Sequence, residues 1–247
     1  MRLHKEEKIL PISHYIWAPS NMNKRLPFLL LFIFGLIHFL SAQNRGKDIP
    51  FRMSIRANAT IPHSISNKAF RRSFTGIYDI AVNFNYQILH GFNIGFQYRI
   101  NEWKTADNKI AGLNTYAQAN HGGIRVGYDV VRSERSTGYI GLAAEQGMIH
   151  YFGLSIRQGT DISQLKRTHF YHAIDVDAVI FFYTEGNFAI GVNASGIFTN
   201  YHFDPYSIFL NQYKAYIASD LNGTWAHINI GFTVVYSFWR TKGTAAE

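Results

Sequence analysis

The residue types that carry chemistry are sparse in this chain, and few stand at useful spacings. A hydroxyl nucleophile needs a base within reach. The nearest string, His63-Ser64-Ile65-Ser66-Asn67, departs from the lipid A deacylase pattern, which sets a His two residues before Ser-Asn on an outward-facing strand end. Here the histidine is misspaced and the string reads as loop. His169, His172 and His202 with Asp204 are the nearest approach to a metal set, but scattered loop histidines are ordinarily solvated. The absence of cysteine excludes disulfides, thiolate zinc sites, cysteine nucleophiles and an acylated lipoprotein N-terminus. No phosphate-binding Gly loop leads from a strand into a helix. The sequence therefore predicts a non-enzymatic protein without metal or cofactor.

The charged residues that do form a pattern are Arg56, Arg99, Arg125, Glu145, Asp175 and Asp177. Each occupies the polar phase of a two-residue alternation, the signature of a strand whose successive side chains point to opposite faces. Such alternation recurs over Phe51 to Ile61, Ile77 to Ile88, Phe92 to Ile100, Gly123 to Val130, Ile140 to Glu145, Ile174 to Phe182, Phe188 to Ser195 and Ala226 to Trp239. Eight strands follow, of which the fifth is the weakest. The connections alternate in length. Leu89-His90-Gly91, the stretch around Ser133 to Thr137 and Thr184-Glu185-Gly186-Asn187 are short, whereas 62–75, 101–120, 149–169 and 199–224 are longer. Short turns at one rim, long loops at the other and an even strand count are the pattern of transmembrane barrels, with turns toward the periplasm and loops outside.

The polar face decides between a membrane barrel and a soluble sandwich. A water-facing sheet surface carries Lys and Glu, yet Lys47, Lys68, Lys104, Lys109, Lys166, Lys214 and Lys242 all fall outside these strands. The polar face holds Gly, Ala, Ser, Asn, Asp and Arg instead. Gly95, Gly127, Gly141, Gly191 and Gly231 suit the lumen of an eight-stranded barrel, which side chains just fill. The apolar face then meets lipid, and Phe51, Tyr78, Phe92, Tyr139, Phe182, Phe188 and Phe238 are expected to form aromatic girdles. Composition agrees: aromatic residues reach 16% and charged residues only 16%, against about 25% charged in an ordinary soluble domain.

An export signal precedes the barrel. From Met22 the chain has Lys24 and Arg25, an apolar run from Leu26 to Leu40, then Ser41 and Ala42, the three-part layout of a secretory signal. The run is too short for a spanning helix. The expected organisation is a mis-called or disordered leader at 1–21, a signal peptide at 22–43 cleaved after Ala42 or Gln43, and a barrel at 44–247 with strands within about 50–240. The net charge of +8 includes five basic and two acidic residues ahead of position 44. What is left is too small and too scattered to argue for nucleic acid.

Gly123-Ile124-Arg125-Val126-Gly127-Tyr128-Asp129-Val130, Gly138-Tyr139-Ile140-Gly141-Leu142 and the closing Asn229 to Phe238 resemble the outer-membrane β-barrel domain common in Bacteroidota-type Gram-negative bacteria, over roughly 50–240. The resemblance implies a Gram-negative outer-membrane location and insertion by the barrel-assembly machinery. In that reading Asn229, Gly231, Val234, Tyr236 and Phe238 are similar to an assembly signal. The usual pattern ends on the last aromatic, whereas here Arg240 to Glu247 follow it.

Within a narrow lumen isolated charges are costly. A salt-bridge plug is expected, with Arg125 reaching Glu145 on the adjacent strand and Arg56 and Arg99 reaching Asp175 and Asp177. The function predicted is structural or surface-interacting. Trp103, Tyr206, Phe209, Tyr213 and Tyr216 in the long loops are expected to contact an extracellular partner or lipopolysaccharide. The alternatives are a narrow transport barrel for small solutes or protons and a lipid-modifying enzyme.

Overall fold

The computed structural model describes residues 53–89, 91–105, 114–132, 136–158, 161–184 and 187–238. The expected leader, the export signal, Phe51 and everything from Trp239 onward lie outside them. The elements are β1 (Met53–Ser64), α1 (Lys68–Ser73), β2 (Phe74–Leu89), β3 (Phe92–Thr105), β4 (Tyr116–Arg132), β5 (Ser136–Gln158), β6 (Asp161–Tyr183), β7 (Phe188–Thr199) and β8 (Ala226–Phe238). Single turns of 3-10 helix occupy Leu210–Gln212 and Ala218–Asp220.

All eight strands pair antiparallel with their sequence neighbours, and β8 closes on β1. The ladders are staggered. On β6, Ile174 faces Phe198 of β7. The other way round, Ile174 leads through Ala144, Ile124, Phe96, Phe84, Ile55 and Tyr236 to Phe188. The circuit therefore returns to β7 ten residues from where it left, between Phe188 and Phe198. Such a stagger tilts the strands by about 35–45° to the barrel axis and fixes a lumen that side chains can fill.

The alternation read from the sequence has the sense expected of a membrane barrel. Phe84, Phe96 and Phe232 are 38%, 65% and 69% exposed on the outer wall, where a soluble fold would have turned them inward. Their inward neighbours Asn83, Asn85, Gln97 and Thr233 are buried. The outer wall is apolar from Phe92 to Ile100 on β3, from Ile174 to Phe182 on β6 and from Ile228 to Phe238 on β8. Strands of this length and tilt span a hydrocarbon layer.

Two expectations are corrected. First, 149–169 is no loop, because β5 and β6 run on as a long hairpin up to Gln158 and Asp161. The same applies to parts of 62–75 and 101–120, which belong to β1, α1, β2, β3 and β4. Lys104 and Lys166 consequently lie in strands. The physical reason is an inversion of phase. Above the apolar band the outward residues become polar, as at Glu102, Gln118, Asn120 and His150, while the inward ones become Trp103, Ala117, Ala119, Ile149 and Tyr151, all buried. Second, Tyr139 belongs to no girdle: it shares the inward phase of Gly141, Ala143 and Glu145 and is buried in the lumen. The connection between β7 and β8 is the long loop expected at 199–224, and it folds back over the barrel mouth and packs with α1 as a lid.

Candidate functional site: a doubly closed lumen

The inward phase of six strands brings the six expected charges, with Asp79 and Gln97, into one connected layer. Asp177 sits between two guanidinium groups, with Arg56 Nη2 donating at 2.8 Å and Arg125 Nη2 at 2.8 Å. Arg99 divides its fork between Asp79, 2.7 Å away, and Asp175, 2.6 Å away. Gln97 joins the two halves. Its amide nitrogen donates to Glu145 at 2.8 Å and to Asp175 at 2.5 Å, while its oxygen accepts from Arg125 at 2.5 Å. All these side chains are buried, and charge-assisted hydrogen bonds of this kind are what makes buried charge tolerable.

The expected Arg125–Glu145 pair does not form. Glu145 accepts from Gln97 and pairs with His121 Nδ1 at 2.6 Å, and Arg125 turns toward Asp177. Glycine explains the choice. A Cβ on Gly141 would collide with Asp177 Oδ1 and Arg125 Nη2, and one on Gly127 would collide with the Tyr139 ring. Two strands thus lack side chains where Arg125 and Tyr139 cross the lumen. Tyr139 accepts from Arg125 Nη2 at 3.1 Å and lies under the Arg56 guanidinium, 4.5 Å from it.

Above the charges a polar relay leads to the lid. Asn101 contacts His121 Nε2 at 3.3 Å and His227 Nε2 at 3.5 Å, and its oxygen accepts from Trp103 Nε1 at 3.0 Å. His121 thus bridges the two layers, with Nδ1 on Glu145 and Nε2 on Asn101. Trp103 and Trp225 meet edge-on at 5.7 Å, and Phe70 of α1 packs against Trp103, Phe203 and Trp225 at 5.3, 5.2 and 5.1 Å. This aromatic layer closes the mouth at the loop rim.

Polar contacts pin the lid down. Asn67, in a left-handed conformation, caps α1 by accepting from Phe70 N at 3.0 Å, and its amide donates to Gly223 O at 3.0 Å. Arg72 pairs with Asp220. Ser73 Oγ and Tyr216 OH lie 2.7 Å apart, and burial holds that phenol above its usual range. Burial likewise pushes the Tyr201 phenol up to about 12. Trp103 and Tyr216, expected as loop contacts for a partner, are therefore buried, Trp103 on β3 beneath the lid and Tyr216 within it. Tyr206 and Tyr213 are exposed and Phe209 is half-buried.

At the opposite rim a small cavity is lined by polar residues, among them Ser54, Asn85, Asn93 and Asp129, and by the apolar Phe181 and Val235. It lies on the far side of the charged layer from the lid.

No protein-family model and no curated protein matches the chain, so the Bacteroidota-type resemblance gains no support. Solved structures do match. Neisserial surface protein A has a TM-score of 0.44 at 11% identity, covering 75% of this chain and 97% of that one. Ail, the attachment invasion locus protein of Yersinia pestis, has a TM-score of 0.42 at 9% identity, covering 77% of this chain and 100% of that one. A major outer membrane protein from Thermus thermophilus has 0.43 at 9%, covering 75% and 99%. The likeness is one of strand layout. It carries nothing about activity, which lives in sites rather than folds.

The remaining candidates are not assembled into chemistry. His172 and His202 are exposed and His169 rests against Tyr201 at 5.6 Å. Among the described residues no group of three or more His, Asp or Glu could hold a metal ion. His63 and Ser64 end β1 rather than lying in a loop, and Ser64 and Ser66 hydroxyls donate to backbone carbonyls. Of the assembly-signal residues, Asn229 faces inward and donates to Asp79 at 3.2 Å. Val234, Tyr236 and Phe238 lie on the outer wall.

Proposed function

We propose that this chain is an outer-membrane barrel of a Gram-negative bacterium, exported by its N-terminal signal, which serves as a closed structural or surface-presenting element and neither conducts nor catalyses. The turn rim faces the periplasm and the lid faces outward. The single observation that carries the reading is the double closure: a layer of paired charges spans the lumen, and a buried aromatic lid lies over it. Ions crossing such a layer would have to displace several desolvated pairs at once. What projects from the membrane is the β5–β6 hairpin together with the exposed lid residues Tyr206 and Tyr213.

Single-channel recording of refolded protein in planar bilayers tests this. The wild type is expected to give no steady current, and steady openings would support the narrow transport barrel instead. A change in lipid A mass spectra between cells with and without the gene would support the lipid-modifying alternative.

A further inference from the structure

The outer wall changes character around the barrel just above its apolar band. On β4 and β5 it carries uncharged Gln118, Asn120 and Gln146. In the sector of β1 to β3 it carries cations. Lys68 and Arg71 stand one helical turn apart on the exposed side of α1, opposite Ala69, Phe70 and Ser73, which are buried in the lid. Lys214 donates to Arg72 O at 3.0 Å, bringing its ammonium to the end of the same helix. Lys104 lies on β3 opposite Thr75, just past that end, with its ammonium 5.4 Å over the Tyr116 ring.

Five cations, Lys68, Arg71, Arg72, Lys104 and Lys214, thus share the sector with two described acids, Asp220 on Arg72 and Glu102 on the Tyr78 hydroxyl. Burial, and then the neighbouring Arg72 guanidinium, hold the Lys214 amine below its usual range against the pull of Asp220, so Arg72 and Lys214 are close enough to repel. Directly beneath them the wall is greasy: Ile61 is 67%, Ile65 42% and Ile77 43% exposed. Cations above an exposed aliphatic wall match a molecule with acyl chains below and phosphate at the interface.

We infer that this sector docks the phosphate groups of an outer-leaflet glycolipid through Lys68, Arg71, Arg72, Lys104 and Lys214. The inference rests on the orientation proposed above, with the lid outward. A soluble polyanion has the same phosphate chemistry, but it would leave Ile61, Ile65 and Ile77 uncovered.

The test uses the protein inserted in phosphatidylcholine nanodiscs doped with bisphosphorylated or dephosphorylated lipid A, with bound lipid counted by native mass spectrometry. Wild type is expected to retain the bisphosphorylated form about tenfold better, a preference weakened by salt. K68Q/R71Q/K214Q should lose it, while K166Q/R167Q, which removes charge from β6, should keep it. Equal retention of the two lipids by wild type, or an unchanged preference in the triple variant, would overturn the inference. So would inositol hexakisphosphate occupying lipid A-free discs as fully. Failure to insert into any disc, seen as absence of protein from the disc fraction, would instead overturn the membrane reading itself.

Discussion

Asp177 is the residue on which the charged layer turns, because each of its oxygens answers a different guanidinium. Replacing it by Asn leaves Arg56 and Arg125 facing each other without a carboxylate, and an uncompensated buried charge typically costs about 3–5 kcal/mol. Urea titration of the folded barrel in lipid vesicles, followed by tryptophan fluorescence, should show a loss of that size for Asp177→Asn. Glu145→Gln should cost less, about 1–3 kcal/mol, because its hydrogen-bond partners are Gln97 and His121 and no guanidinium is bonded to it. The members of this layer were legible in the sequence to the extent that alternation assigns a face: Arg56, Arg99, Arg125, Glu145, Asp175 and Asp177 all point inward. Their pairing was not. Which carboxylate Arg125 meets depends on the space left by Gly141, and Gln97 looks like any polar strand residue until its three partners surround it.

The lid is a separate element, and its stability can be altered without touching the charges. Phe70 packs against Trp103, Phe203 and Trp225, so Phe70→Ala should remove about 3–5 kcal/mol of packing from the lid. Asn67→Ala should cost about 1 kcal/mol through the lost cap. Limited proteolysis of intact proteoliposomes is expected to cut the connection between β7 and β8 in Phe70→Ala far faster than in wild type. Bilayer recordings of the same variant should stay silent, since the charged layer lies below. Currents in Phe70→Ala would show that the lid alone makes the seal. This element was illegible in the sequence for an identifiable reason. Alternation continues through Trp103 and from Ile149 to Tyr151, but with apolar residues inward and polar ones outward, so a search for a single greasy face ends the strands too early.

For the whole molecule, the sign of that greasy face is the decisive property. Phe96 lies midway between Phe92 and Ile100 on the outer wall of β3. Phe96→Lys should therefore destabilise the inserted barrel by about 2–4 kcal/mol, the cost of a cation near the bilayer midplane. The same titration in vesicles measures it, and a neutral effect would mean that this wall does not meet hydrocarbon.

Seven of the eight ladders join strands adjacent in the chain, and each can zip from its own turn; the ladder between β1 and β8 alone brings distant ends together. Its closure carries the largest loop entropy, so it is the slowest contact to gain and the natural last step. Until it forms, the polypeptide is a curled ribbon with two bare margins, at Met53–Ser64 and Ala226–Phe238. Each margin can pair with another nascent copy as readily as with its own mate. Assembly thus has one vulnerable moment, and whatever escorts the ribbon has only those two margins to shield.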